Sequence, residues 1–394
     1  MVDERNVPEG YKLTEVGVIP EDWAHVTLKE LTNMIGDGIH TTPKYVSNSD
    51  FYFINGNNLG DKKIIIYSDT KCVSKIEYEK HKEKLNEKSL LMSINGTIGN
   101  LSFYNNEKVI LGKSACYMNI KTSILRSYVY YQLQTNNVMK FYDYEMTGST
   151  IRNLSLKSIR NTPIPVPANE VEQKSIAEAL SDTDNLILSL EKLIDKKNKI
   201  KQGAMQQLMT GKKRLPGFSG EWEVKKLGEI ADVYQPKTIS ESDFTEDGYL
   251  VYGANGIVGR YSFYNHEKWQ VTITCRGSTC GTVNKTKEKS WITGNAMVVN
   301  LDNNNKVSKM FIYYFLRSYD FKNYITGSGQ PQIVRGPLLT LEIKLPTVEE
   351  QKAIAQVLSD MDLEIEALEE KLEKVKTIKQ GMMQELLTGR IRLI

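Results

Sequence analysis

The chain has 394 residues, 40% of them hydrophobic and 25% charged, with a formal net charge of +3. That length suggests two or three domains rather than one, and no run approaches the roughly 18 apolar residues of a membrane helix. The balance of charge permits nucleic-acid binding without arguing for it. The opening MVDERNVPEG lacks a signal-peptide core, so a cytoplasmic location is expected. Cys72, Cys116, Cys275 and Cys280 form no CxxC pair and the four histidines are scattered. Reduced thiols, no metal and no cofactor are expected.

Residues 1–168 are rich in aromatic, β-branched, Gly and Asn residues. Lys63–Tyr67 and Lys108–Leu111 read as strands between Gly/Asn turns, and Tyr128–Leu133 as a short helix. Several loops collect side chains suited to base edges and phosphates. The candidate DNA contacts here are Asp37, His40, Thr41, Lys44, Asn57, Asn95, Lys113 and Arg152.

A long helix is expected over 169–211. Pro167 disfavours helix before it, and Asn169 with Glu172 reads as an N-cap with an acidic third residue. Gly211 is the expected C-cap. The stripe runs Ile176, Leu180, Thr183, Ile187, Leu190, Ile194, Lys197, Lys201, Ala204, Leu208, apolar at seven of its ten positions.

Residues 212–345 repeat the α+β character. Gln270–Thr274 reads as a strand and Phe311–Leu316 as a short helix. Candidate contacts are Gln235, Lys237, Asn255, Arg260, Arg276, Ser278, Gln330, Gln332 and Arg335. Arg276 lies in a Gly-Ser-Thr turn where a phosphate or a guanine could approach. Residues 346–394 hold a second helix, capped by Thr347 with Glu350 and ended by Gly389. Its stripe is Ile354, Leu358, Met361, Ile365, Leu368, Leu372, Val375, Lys379, Met382, Leu386.

The order is a duplication. Residues 172–215 align without a gap to 350–393, with about 24 of 44 positions identical. Elsewhere only fragments agree. Thr147–Pro167 aligns with Thr326–Pro346, and Ile94–Gly99 resembles Cys275–Gly281; Trp23…Leu28 recurs as Trp222…Leu227. Stripes sustained over about four heptads argue a coiled coil, each helix the other's natural partner. Both orientations are reachable; an approximate two-fold axis relating two similar domains would make the helices antiparallel. A helix of about 40 residues spans about 60 Å, which makes a rigid spacer between two domains.

Catalytic motifs do not assemble. Gly112-Lys113-Ser114 has Glu107 where a P-loop needs its first glycine, and Glu342-Ile343-Lys344 has Pro163-Ile164-Pro165 as its counterpart. Amino-methyltransferase, GxGxxG and HExxH signatures are missing. A bifunctional methyltransferase–endonuclease would need them, and a pure coiled-coil scaffold would show no DNA preference.

The chain resembles the specificity subunits of Type I restriction–modification systems over essentially its whole length. The residues that carry the likeness are Tyr11-Lys12, Gly17–Trp23, the Asp37–Tyr45 loop and the Ile164–Pro167 exit. Beside them stand Glu-Gln-Lys at 172 and 350, and Gln-x-Leu-x-Thr-Gly at 206–211 and 384–389. The resemblance implies two tandem α+β target recognition domains, 1–168 and 212–345, in a circular, pseudo-two-fold arrangement. It implies that they read the halves of a bipartite double-stranded DNA target and are separated by antiparallel helices, 169–211 and 346–394. It also implies a non-catalytic chain whose helices dock two methyltransferase subunits, with restriction subunits joining through them. S-adenosylmethionine, ATP and magnesium would then belong to those partners.

Overall fold

In the computed structural model, residues 7–147, 152–254, 256–327 and 329–393 are described. The chain divides into two units, residues 1–189 with 372–394, and residues 190–371. The first begins with strands β1 (Tyr11–Thr14), β2 (Gly17–Pro20), β3 (Ala24–Thr27) and β4 (Thr32–Asp37). β5 (Tyr45–Val46), β6 (Tyr52–Ile54) and β7 (Cys72–Val73) follow, then helix α1 (Lys75–His81). Next come β8 (Ser89–Ser93), β9 (Leu101–Phe103), β10 (Val109–Leu111) and β11 (Ala115–Ile120). Helices α2 (Arg126–Gln132), α3 (Asn136–Glu145), α4 (Leu156–Arg160) and strand β12 (Pro163–Val166) lead into the long helix α5 (Glu170–Leu208).

The second unit repeats this plan. It runs β13 (Glu223–Lys226), α6 (Leu227–Ile230), β14 (Asp232–Tyr234), β15 (Tyr249–Gly253) and β16 (Gly256–Tyr261). β17 (Val271–Thr274), β18 (Val283–Lys285), β19 (Trp291–Ile292) and β20 (Ala296–Asn300) follow. Helices α7 (Lys309–Ser318) and α8 (Arg335–Leu339) and strand β21 (Glu342–Leu345) precede the second long helix, α9 (Val348–Leu386). The principal sheet has order β4-β11-β8-β9 in one unit and β14-β20-β17-β18 in the other. Each unit also has one parallel pair, β10 with β6 or β15 with β19. Each ties its entry strand to its exit strand, β3 to β12 or β13 to β21. Segments that share little sequence therefore share one principal-sheet order, to which the first unit adds the β1-β2 hairpin and a fourth strand in its second sheet.

Strand alternation builds the cores, because successive side chains point to opposite faces. On β8 and β11, Leu90, Met92, Cys116, Met118 and Ile120 enter one apolar cluster. Leu91, Ala115 and Tyr117 enter a second. In the other unit Val271, Ile273, Met297 and Val299 face the larger cluster, and Ala296 and Val298 the smaller. The run Lys63–Tyr67 is not a strand: only isolated bridges occur, Lys62 with Ser102 and Leu59 with Ile64. Lys62 has a positive φ of 62°, which turns the chain just before the run, and Ile65, Ile66 and Tyr67 lie exposed with no ladder partner. Their β-branched and aromatic character had no pleated neighbour to act on.

Both long helices start and stop as their caps dictate. The Val171 amide donates to Asn169 Oδ1 at 2.8 Å, and the Glu350 amide to Thr347 Oγ1 at 3.4 Å. Gly211 and Gly389 take positive φ values of 69° and 70° at the ends, a conformation that favours glycine. The stripe ends do not face only a helix. Ile176, Leu180 and Leu386 complete the first unit's core, and Leu208, Ile354 and Leu358 the second's. Leu190, Ile365, Leu372 and Val375 are buried as well, while Ile187, Ile194, Met361 and Leu368 are half-buried.

Polar residues in the seam are matched. In the first unit the Asp184 carboxylate meets Lys379 Nζ at 2.6 Å and Lys62 Nζ at 2.5 Å, and accepts from Tyr131 OH at 2.7 Å. In the second, Asp362 meets Lys201 Nζ at 2.5 Å and accepts from Tyr314 OH at 2.7 Å. Lys197 adds a 2.6 Å pair to Glu364. The partners descend in number along α9 as they ascend along α5, so the helices pair antiparallel within each unit. Burial pushes the Asp184 carboxyl up, but hydrogen bonds from Lys379, Lys62 and Tyr131 outweigh it and hold it below the usual 3.8. Asp362 is lowered in the same way, burial being outweighed by Lys201 and Tyr314.

Removing one member of such a cluster leaves buried charge without a counter-charge. Asp184→Asn should cost about 3 kcal/mol, read as an earlier urea midpoint, whereas Asp182→Asn on the exposed face should leave it unchanged. A depressed carboxylate stabilises the fold fully above its unfolded value and loses that contribution as pH falls through the lower folded value. The difference between wild type and Asp184→Asn should therefore hold at neutral pH and shrink below about pH 4.

Candidate nucleic-acid interface

In each unit the same set of loops is laced together at one end of the principal sheet. In the first, Gly38 and Ile39 donate to the carbonyls of Ala115 and Leu111. The Gly56 amide donates to Ser114 Oγ at 2.9 Å, and that hydroxyl donates to Asn55 Oδ1 at 3.0 Å. Ile94 donates to Ser114 O at 3.0 Å. In the second unit Gln235 Nε2 donates to Gly294 O at 3.0 Å and to Cys275 Sγ at 3.0 Å. Cys275 donates to Asn295 O at 3.1 Å, and Thr293 to Tyr252 O at 2.9 Å. Burial pushes the Cys275 thiol up, which keeps it protonated and inert.

Most candidate contacts belong to these loops. Asp37, at the end of β4, holds exposed His40 at 2.8 Å. Thr41, Asn57 and Lys113 are exposed, and Asn95 is half-buried. Arg152 is exposed, its guanidinium 3.7 Å from Asp143 and its carbonyl taken by Gly96. In the second unit Lys237, Arg276, Ser278, Gln330 and Gln332 are exposed around the Gln235 anchor. Asn255 lies outside the described residues.

Three candidates are not brought to the cluster. The Lys44 backbone is tied instead to Glu77 on α1 at 3.3 Å. Arg260 lies on β16 opposite Leu250 and donates to Gly248 O at 2.9 Å. Arg335, exposed at the start of α8, donates through Nε to Val233 O at 2.5 Å, tying α8 to β14. Among the described residues no group of three His, Cys, Asp or Glu side chains is placed to hold a metal ion.

Sequence reasoning passed over a second pair of matched groups. Arg392 grips Glu172 through Nε at 2.5 Å and Nη2 at 2.8 Å, and also Asp22 at 2.8 and 3.0 Å. Its guanidinium lies 5.8 Å from the Trp23 ring centre, and Trp23 Nε1 donates to Glu172 Oε2 at 3.3 Å. In the other unit Arg214 grips Glu350 through two bonds of 2.6 Å and lies 5.5 Å from the Trp222 ring. The repeated Trp, Glu and Arg were each visible; only their convergence was not.

Fold and loops together define a class: a duplicated α+β protein whose two units share a topology, differ in the side chains their loop clusters present, and contain paired stretches of two long helices. The chain belongs to the Type I restriction–modification DNA specificity family, whose domain description matches residues 20–202 and again 219–377. It is 30% identical to the putative Type I restriction enzyme MjaX specificity subunit of Methanocaldococcus jannaschii, covering 98% of this chain and 97% of that one. The MjaVIII specificity subunit of the same organism is 29% identical over 64% of this chain and 68% of its own. The fold is like that of the S subunit of the Type I restriction-modification system from M. genitalium. That match has a TM-score of 0.65 and 16% identity over 98% of this chain and 99% of the other.

The arginines separate into two kinds by their partners. Arg335→Ala should lower stability by about 1–2 kcal/mol through loss of the charged hydrogen bond to Val233 O. Arg276→Ala, at an exposed turn, should stay within about 0.5 kcal/mol of wild type. Thermal melting of the two variants side by side checks the contrast; equal shifts would count against it.

Proposed function

We propose that this specificity subunit is non-catalytic and reads a bipartite double-stranded DNA target, one half with residues 1–168 and the other with residues 212–345. The helical segments 169–211 and 346–394 dock two methyltransferase subunits, and restriction subunits join through these. S-adenosylmethionine and ATP with magnesium are bound by the partners. One observation carries this reading: the helices agree at about 24 of 44 aligned positions, while the loop clusters stand on one topology and present different side chains. Similar helices suit two copies of one partner, and divergent loops suit two different half-sites. Exposed Arg, Lys, Asn, Gln, Ser and Thr in the loops are the groups that match phosphates and base edges. A solved chain from work on complex assembly and conformational transition of the Type I system has a similar fold, with a TM-score of 0.54 over 95% of this chain.

The test is reconstitution. The purified chain with S-adenosylmethionine should transfer no methyl groups, and the chain with its methyltransferase subunits should mark a two-part motif read by methylome sequencing. Replacing residues 21–160 with the matching domain of another such subunit should change one half of that motif and leave the other intact, since distant sites act independently. Methyl transfer by the chain alone, or a swap that altered both halves, would refute the assignment.

A further inference from the structure

The two units match each other in a set of backbone hydrogen bonds between described residues of their loops. In the first unit the amide and carbonyl of Thr147 pair with those of Asn153 at 3.1 and 2.9 Å. In the second, Thr326 and Gln332 make the same pair at 2.8 and 2.9 Å. Each neck is then docked on a second turn. Leu154 donates to Ile94 O at 2.9 Å, as Ile333 does to Cys275 O at 3.0 Å. Gly96 donates to Arg152 O at 3.1 Å, as Gly277 does to Pro331 O at 3.0 Å. Gly99 closes on Ser93 O at 2.9 Å, as Gly281 does on Thr274 O at 2.8 Å.

This lattice gives Asn95 and Arg276 the same address. Both make the isolated bridge to the loop neck, Asn95 with Asn153 and Arg276 with Gln332. Both are followed by a glycine of positive φ, 74° at Gly96 and 89° at Gly277, with open space where a Cβ would stand. A hydroxyl residue comes next in each, Thr97 or Ser278. What the turns share cannot distinguish one half-site from another. What differs at a fixed backbone position can.

Arg276 is also the right kind of group. It is exposed, and among the described residues its guanidinium has no hydrogen-bond or carboxylate partner. Arg152, Arg260 and Arg335 are each engaged by their own unit. Resting on the DNA-reading role above, we infer that position 95 and position 276 are equivalent base-reading positions, Asn95 selecting adenine and Arg276 selecting guanine. An amide side chain matches adenine N6 and N7 in the major groove, and a guanidinium matches guanine O6 and N7.

The experiment reconstitutes the full chain with its methyltransferase subunits and measures both affinity for the mapped target and the methylated motif. Arg276→Ala should weaken target binding roughly tenfold or more and relax one guanine in one half-site, with the other half-site unchanged as the internal control for folding. Arg276→Asn should move that position toward adenine, and Asn95→Ala should relax one adenine in the opposite half-site. An unchanged motif overturns the inference, whether affinity is kept, as for a free surface arginine, or falls equally on target and unrelated DNA, as for a phosphate contact. If the wild-type complex marks no two-part motif, the DNA-reading role itself fails, and this assignment with it.

Discussion

A carboxylate taken out of water costs several kcal/mol unless a counter-charge and further donors replace the lost hydration. Asp184 meets that condition in the seam and the half-buried Asp362 repeats its contacts; each is served by a lysine of the other long helix and a tyrosine of its own unit's short helix. The apolar stripe would tolerate sliding, since leucine and isoleucine pack against many neighbours. A carboxylate tolerates none: one residue of slip rotates it by about 100° around the helix, away from its cation. Charge therefore sets the register, as single polar groups do in coiled coils, and apolar burial supplies most of the adhesion.

The matching is reciprocal. Asp184 of α5 takes Lys379 of α9, and Asp362 of α9 takes Lys201 of α5. Glu172 takes Arg392, and Glu350 takes Arg214. Each residue and its counterpart are identical in the duplicated segments, so the same contact is made twice with the roles of the helices exchanged. The copies are not perfect. Trp23 Nε1 has Glu172 as its acceptor, whereas the buried Trp222 Nε1 has none among the described residues.

Much of the helical architecture was legible in the residues because its signals are local: Pro167, the caps at Asn169 and Thr347, the glycines at 211 and 389, and a stripe of fixed period. Lys201 and Lys379 read there as breaks in the stripe, and the structure shows them to be partners of Asp362 and Asp184. Their identity in both copies was the available clue. The recognition domains were less legible because their pairings are distant, such as β10 running parallel to β6, and no short window records such a choice. Candidate contacts followed the same division. The Ile94–Gly99 and Cys275–Gly281 fragments are alike in sequence and equivalent in hydrogen bonding, while no local signal marks the bond from Arg335 to the distant Val233 O.

The first unit is discontinuous, and that has a consequence for synthesis. Residues 372–394 supply Leu386 and Leu387 to its core, the Leu387 carbonyl to buried Gln132, and Arg392 to Glu172 and Asp22. A ribosome makes those residues only after all of 190–371, the whole of the second unit. Nascent chains ordinarily finish their domains from the N-terminal side. Here the half made first waits with part of its apolar core uncovered until residues 372–394 emerge, so it cannot be finished before the whole of the second unit has been made.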